Sequence, residues 1–308
     1  MTRHGSDPLA QSVHDRLRKT ASETREEFNA VLARYGMERL LFRLSRTPHG
    51  KRFVLKGAML FVLWLDRLHR PTLDVDLLGS EYFDQQALRS MFEDVCRVKV
   101  KADGLQFDPD SITVEEIRES QRYQGLRVKV PGHLGSARLT VQVDVGFGDV
   151  ITPAPVEADY PTLLDLPAPR LKTYPAETVV AEKADAIIEF GLRNSRMKDY
   201  YDLWMLCSHF DFVGASLAAA IQATLRRRGR KLPTAVPSGL SDEFGEDTLK
   251  QQQWSAFLRR HRLVDVELPL LDVVHKLREF LSVPLQSLAA SHSFDARWSA
   301  GGPWQLDQ

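Results

Sequence analysis

Cysteine is nearly absent. The two that occur in 308 residues, Cys96 and Cys207, lie far apart without partner spacing, which excludes a disulfide framework or a zinc site and fits a reducing compartment. An excess of one charge is also missing. The 41 basic and 41 acidic residues cancel, which argues against a protein that coats nucleic acid through net charge, though not against a local basic patch. No long apolar run is present: the most apolar stretch, Phe53 to Leu65, carries Lys56 and ends at Asp66, too short and too charged to span a bilayer. The segment Met1 to Arg16 is polar and has no apolar stretch, so no secretory signal is expected. No internal repeat is found. These absences lead to the expectation of a cytoplasmic protein without a membrane partner.

What is present is enough for a real core. Hydrophobic residues make up 43% of the chain and charged residues 27%, in a length that suits one large or two modest domains. Helical spacing runs from about Ser12 to Ser45, through Phe28, Val31, Leu32, Tyr35, Leu40, Leu41 and Leu44. Phe53 to Leu55 reads as a short buried strand, Gly57 as a tight turn and Ala58 to Leu65 as a buried helix. Leu73 to Leu78 alternates apolar and acidic residues with the period of a strand. A helix is expected over Gln85 to Val95 with Asp84 as its N-cap. Three strands follow, over Ser111 to Ile117, Leu126 to Val130 and Arg138 to Val145. Six prolines between Thr152 and Pro175 predict an extended connector. Beyond it, helical spacing covers Glu177 to Phe190, Met197 to His209, Ala215 to Arg228, Asp247 to His261 and Leu270 to Leu281. Arg230 to Gly245 reads as a loop, and the tail from Ser291 to Gln308 shows little pattern.

Asp74-Val75-Asp76 carries the strongest chemical signal. On a strand, residues i and i+2 share a face, so the two carboxylates converge. Ionised carboxylates held side by side repel unless a cation sits between them, and hard oxygen ligands suit Mg²⁺. Asp144, on a second strand between Val143 and Val145, is a third candidate ligand. If the two strands are neighbours, the three acids could hold two metals and clamp an in-line phosphoryl displacement. The bland alternative is a solvated edge strand; Leu73, Val75, Leu77 and Leu78 favour a central one. The turn at Lys56-Gly57-Ala58, leading into a helix, is a place where backbone N–H groups can meet phosphate. The basic run Arg226, Arg227, Arg228, Arg230 and Lys231 reads either as a contact to RNA phosphates or as a solvated helix end.

Five segments carry a resemblance: Phe53-Val54-Leu55-Lys56-Gly57-Ala58; Arg70-Pro71-Thr72-Leu73-Asp74-Val75-Asp76-Leu77; Tyr123 to Val128 with Val141 to Asp149; Ala181-Glu182-Lys183-Ala184-Asp185-Ala186; and Asn194 to Leu203. In them the chain resembles the AbiEii/AbiGii nucleotidyltransferase toxins of type IV toxin–antitoxin systems. The resemblance implies an α+β fold: a polymerase-β-like core with a mixed sheet flanked by helices, then a helical C-terminal half. The halves are expected at 1–155 and 156–308. It assigns metal to Asp74, Asp76 and Asp144. It sets Lys183 at a triphosphate, and Lys56, Gly57, Ala58 and Thr72 on the nucleotide side. Asp199 and Asp202, three apart on one helix face, compete for a further acidic role: Asp202 is favoured as catalytic, Asp199 as nucleotide-binding. A surface pair of Glu182 with Lys183, or a salt bridge of Asp199 with Arg196, is the structural alternative. Arg70, Arg127 and Asp149 also match, the arginines reading equally as carboxylate clamps and Asp149 as a turn or cap residue. Ala58 replaces a glycine common in the family.

The implied activity is a Mg²⁺-dependent nucleotidyl transfer (EC 2.7.7-type) from an NTP to an acceptor, in the family the 3′ end of tRNA. It would block translation and growth in the manner of abortive infection, and a cognate antitoxin would be encoded nearby. Two other readings stand beside it: transfer to a protein hydroxyl, AMPylase- or kinase-like, and a non-catalytic nucleotide-binding module.

Overall fold

A computed structural model describes residues 7–65, 70–120, 123–263 and 267–306. The chain divides into two compact units: Met1–Gly148 with Val156–Thr173, and Asp149–Pro155 with Tyr174–Gln308.

The first unit opens with two helices, α1 (Pro8–Thr24) and α2 (Phe28–Ser45), where the spacing predicted one helical stretch. Arg25 separates them: it turns left-handed, and its N–H closes α1 on the carbonyls of Ala21 and Ser22. The remaining elements are β1 (Phe53–Lys56), α3 (Leu60–Leu65), β2 (Asp74–Gly79), α4 (Gln85–Arg97), β3 (Leu105–Phe107), β4 (Thr113–Ser120), β5 (Tyr123–Leu134), β6 (Ala137–Phe147), β7 (Val156–Asp159) and β8 (Arg170–Thr173). Asp84 caps α4 as expected, accepting from the Ala87 N–H at 2.7 Å. The strands form one mixed sheet in the order β3-β5-β6-β2-β1-β8-β7, with β4 also paired to β5. Strand β2 is central, parallel to β6 and antiparallel to β1. Its Val75, Leu77 and Leu78 are buried, whereas Leu73, just outside it, is 67% exposed and supports no core.

The proline-rich stretch is not a plain connector. It returns β7 and β8 to this sheet, β8 lying parallel beside β1. In β8 the burial alternates, Leu171 and Thr173 in, Arg170 and Lys172 out. Four residues are too few for that period to stand out among prolines. Helix α2 holds the intervening loop: Glu38 accepts from the Leu163 N–H at 2.6 Å, and Arg39 donates to the Pro167 carbonyl at 2.9 Å. Burial pushes the Glu38 carboxyl from its ordinary 4.5 up to about 7, despite Arg39 at 2.8 Å. A raised acid takes up its proton in the folded state before the unfolded chain does. Its stabilising contribution is therefore complete below about pH 4.5 and is lost as pH rises through 7. Glu38→Gln should flatten the decline in urea midpoint over that window; an unchanged slope would assign the decline to other groups.

The second unit contains α5 (Ala176–Phe190), α6 (Met197–His209), β9 (Phe212–Val213), α7 (Gly214–Arg227), α8 (Asp242–Glu246), α9 (Thr248–Arg260), α10 (Leu270–Ala289), β10 (Ala296–Trp298) and β11 (Trp304–Leu306). No helix among the described residues is long and apolar enough to cross a membrane. The segment expected as a loop carries α8, and Phe244 stacks on Tyr200 with ring centroids 4.8 Å apart. The tail is not patternless either: β9, β10 and β11 form a small antiparallel sheet. Its anchor is Trp298, fully buried, with its indole N–H donating to the Cys207 carbonyl at 2.6 Å and its ring against Phe280 and Trp304. Trp298→Ala should cost about 3–5 kcal/mol by urea denaturation; a loss below about 1 kcal/mol would mean that the tail packs only loosely.

Candidate active site

Strand register builds the acidic centre. In the ladder, Lys56 of β1 faces Asp76 of β2, Asp76 faces Asp144 of β6, and Asp144 faces Arg127 of β5. Four charged residues thus form one row across four strands, cation–anion–anion–cation. Asp74, two residues before Asp76 and on the same face, stands opposite Gln142. Oxygens of Asp74, Asp76 and Asp144 all lie within 4.8 Å of one another, and the three side chains are half-buried. Such a set of hard carboxylate oxygens fits a divalent cation of the Mg²⁺ kind.

The surroundings orient these acids. The Thr72 hydroxyl donates to Asp74 Oδ1 at 2.6 Å, so Thr72 acts on a carboxylate. Arg127 clamps Asp144 with two parallel bonds, Nε to Oδ1 at 2.8 Å and Nη2 to Oδ2 at 2.7 Å. That bond pushes the Arg127 pKa above its already high ordinary value, and its positive charge is permanent. The clamp reading of Arg127 is thus the one the geometry supports. Gly57 has a steric reason to be glycine: its φ is +77°, and a Cβ there would come within 2.0 Å of Asp76 Oδ2. Any side chain at 57 would displace the central carboxylate. Ala58 is buried. The Lys56 ammonium lies 3.7 Å from where a Cβ at Gly146 would be, in the space which that glycine leaves over β6.

The helical unit holds the other expected residues. Lys183 of α5 donates to Asp199 Oδ1 at 2.7 Å and to Asp202 Oδ2 at 2.8 Å, both on α6. The two acids are 2% and 1% exposed. Arg196 adds a bond of 2.6 Å to Asp199, so the suspected salt bridge forms beside the lysine contact. Burial alone would raise the Asp199 pKa; Lys183 and Arg196 outweigh it and hold the carboxyl below its ordinary value. Both acids thus hold Lys183, and neither is open to solvent.

The basic run divides. Arg226 and Arg227 are exposed in the last turn of α7. Arg228 is turned inward, 2.7 Å from Asp185 and 3.2 Å from Asp149, and Arg230 pairs with Asp185 and Glu189. Burial opposes the charge of Arg228, yet Glu182 and Asp149 raise its pKa above the ordinary value. A guanidinium committed to these carboxylates serves as a structural tie, in contrast with the outward-facing Arg226 and Arg227. Asp185 is the residue that sequence reasoning missed. Its one signal is an acid between Ala184 and Ala186 on the buried side of a helix.

Lys183 carries structural weight. Lys183→Met leaves two buried carboxylates short of their cation and should cost about 3–5 kcal/mol at pH 7.5. Adding Asp202→Asn should recover part of that loss, because one buried negative charge is removed. A single-mutant cost below about 1 kcal/mol in urea titration would contradict the buried triad.

Known proteins give the comparison. The family model of the AbiEii nucleotidyl transferase toxins, type IV toxin–antitoxin systems, matches residues 39–282. Among solved structures, an H. pylori protein described as a candidate nucleotidyltransferase is 14% identical, over 85% of this chain and 93% of that one, with a TM-score of 0.45. JHP933 from Helicobacter pylori is 13% identical over 93% of each chain, with a TM-score of 0.43. A comparison with curated proteins returns no match. The matched span takes in the acidic row, the Lys183 cluster and the whole of seven of the ten helices described above, and with it the chain belongs to the AbiEii nucleotidyl transferase toxin family.

Proposed function

We propose that this chain is a Mg²⁺-dependent toxin that transfers the nucleotidyl group of an NTP to the 3′ end of a tRNA in the cytoplasm, stopping translation. The observation that carries the reading is the convergence of Asp74, Asp76 and Asp144 on one face of the central strands. These three residues would hold the cation, with Thr72 bonded to Asp74 and Arg127 paired with Asp144. A bound divalent cation supplies charge neutralisation on the triphosphate and on the attacking and leaving oxygens.

The chain's own residues supply binding and orientation. The Gly57 turn and Lys56 lie beside Asp76 and offer backbone N–H groups and an ammonium to phosphate oxygens. Lys183, held by Asp199 and Asp202, presents a fixed ammonium for the triphosphate. An acceptor hydroxyl attacks the α-phosphorus; the new P–O bond forms as the bond to pyrophosphate breaks, and the hydroxyl proton leaves to a carboxylate of the triad or to water. Positioning and charge neutralisation do most of the work in such a transfer. Arg226 and Arg227 are the remaining candidates for contact with RNA phosphates. The family's toxin–antitoxin organisation supplies the expected protein partner, a cognate antitoxin.

The test is incubation of the purified chain with Mg²⁺, total RNA and each α-labelled NTP in turn. Label should enter a tRNA-sized band and fall at least about a hundredfold in Asp76→Ala. Lys183→Arg serves as the second control because it keeps the charge between the buried acids. Label on protein would overturn the RNA acceptor in favour of a protein hydroxyl. No label with any NTP would overturn the transferase reading.

A further inference from the structure

We propose that Arg127 is a built-in competitor of the metal, a counter-ion that shares Asp144 with the cation and so sets how tightly the acidic triad binds it. The proposal deepens the reading above in one respect: it needs the triad to hold a divalent cation, and needs nothing of the transfer reaction.

The geometry is specific. Both oxygens of Asp144 accept from one guanidinium, at 2.8 and 2.7 Å. A cation held jointly by Asp74, Asp76 and Asp144 needs one of those same oxygens. Its charge also comes close to a guanidinium that cannot deprotonate. Each oxygen keeps a lone pair beside its hydrogen bond, so the competition is chiefly between charges. Gln142 already lies within reach of that guanidinium. With its amide oxygen turned inward, it accepts from Arg127 Nε at 3.2 Å and Nη2 at 3.3 Å, the same nitrogens that bond Asp144. Glu115 of β4 stands directly across from Arg127 in the ladder, while its carboxylate bonds Lys129 at 2.8 Å. The side chain is 30% exposed, enough to shift toward Gln142 and Glu115 without leaving a buried charge unpaired. On this account Arg127 holds Asp144 until a cation takes it, and weakens adventitious binding of metal.

The alternative role, in which Arg127 only orients Asp144 for the metal, predicts the opposite sign. The experiment is a Mn²⁺ titration of the full chain by calorimetry, without nucleotide. Arg127→Met should bind Mn²⁺ on the order of tenfold more tightly than the unsubstituted chain. Arg127→Lys, a point charge without the fork, should fall between them and keeps the comparison available if Arg127→Met does not fold. In an Asp144→Asn background, substitution of Arg127 should no longer change the affinity. Equal or weaker binding by Arg127→Met overturns the proposal while leaving the triad reading intact, provided that binding is lost in Asp76→Asn. No Mn²⁺ binding by the unsubstituted chain overturns both.

Discussion

Three carboxylates crowded onto one face of a sheet set the terms for the rest of the first unit. With oxygens inside 4.8 Å, each pair repels by roughly 3–4 kcal/mol at an effective dielectric near 20. The three pairs together approach the whole net stability of a domain, about 5–15 kcal/mol. Compensation is built into the same row, with Lys56 on one flank and Arg127 on the other. Thr72 adds a hydrogen bond to Asp74, and Gly57 makes room for Asp76. These neighbours are the conditions under which an acidic strand can fold at all, and they leave a site still short of positive charge.

Sheet topology makes that arrangement rigid. Strand β2 has a parallel neighbour on one side and an antiparallel one on the other, and its alternate residues Val75 and Leu77 are buried. A one-residue slip would carry Asp74 and Asp76 into the core, so the apolar face enforces the register of the acidic one. The helical unit solves the inverse problem. There two buried acids surround one lysine, and Arg196 completes the balance on Asp199. A lysine held from two sides keeps its ammonium in one place, as a mobile surface lysine does not.

The chain belongs to the AbiEii nucleotidyl transferase toxin family, and both clusters lie within the matched span. Further charged and aromatic contacts complete the helical unit. Arg228 and Arg230 are drawn onto Asp185, so a sequence that looks like a continuous basic patch presents only part of its charge outward. The aromatic tail, through Trp298 and Trp304, closes on α10 and α6 with the burial of a core element.

By itself the sequence determined what short-range periodicity can determine. The i, i+2 spacing of Asp74 and Asp76, the mid-strand Asp144, the Asp84 cap and the 3.6-residue spacing of the long helices were all legible, because each depends only on residues near in the chain. Register and partner choice were decided by the tertiary structure. That Asp76 faces Asp144, that Arg127 takes both oxygens of Asp144, that Lys183 bridges Asp199 and Asp202, and that Arg228 turns inward all link residues 16 or more positions apart. Strands β7, β8, β10 and β11 escaped for a related reason. Each is four residues or fewer, too short to show a period, and acquires its burial only from the sheet that receives it.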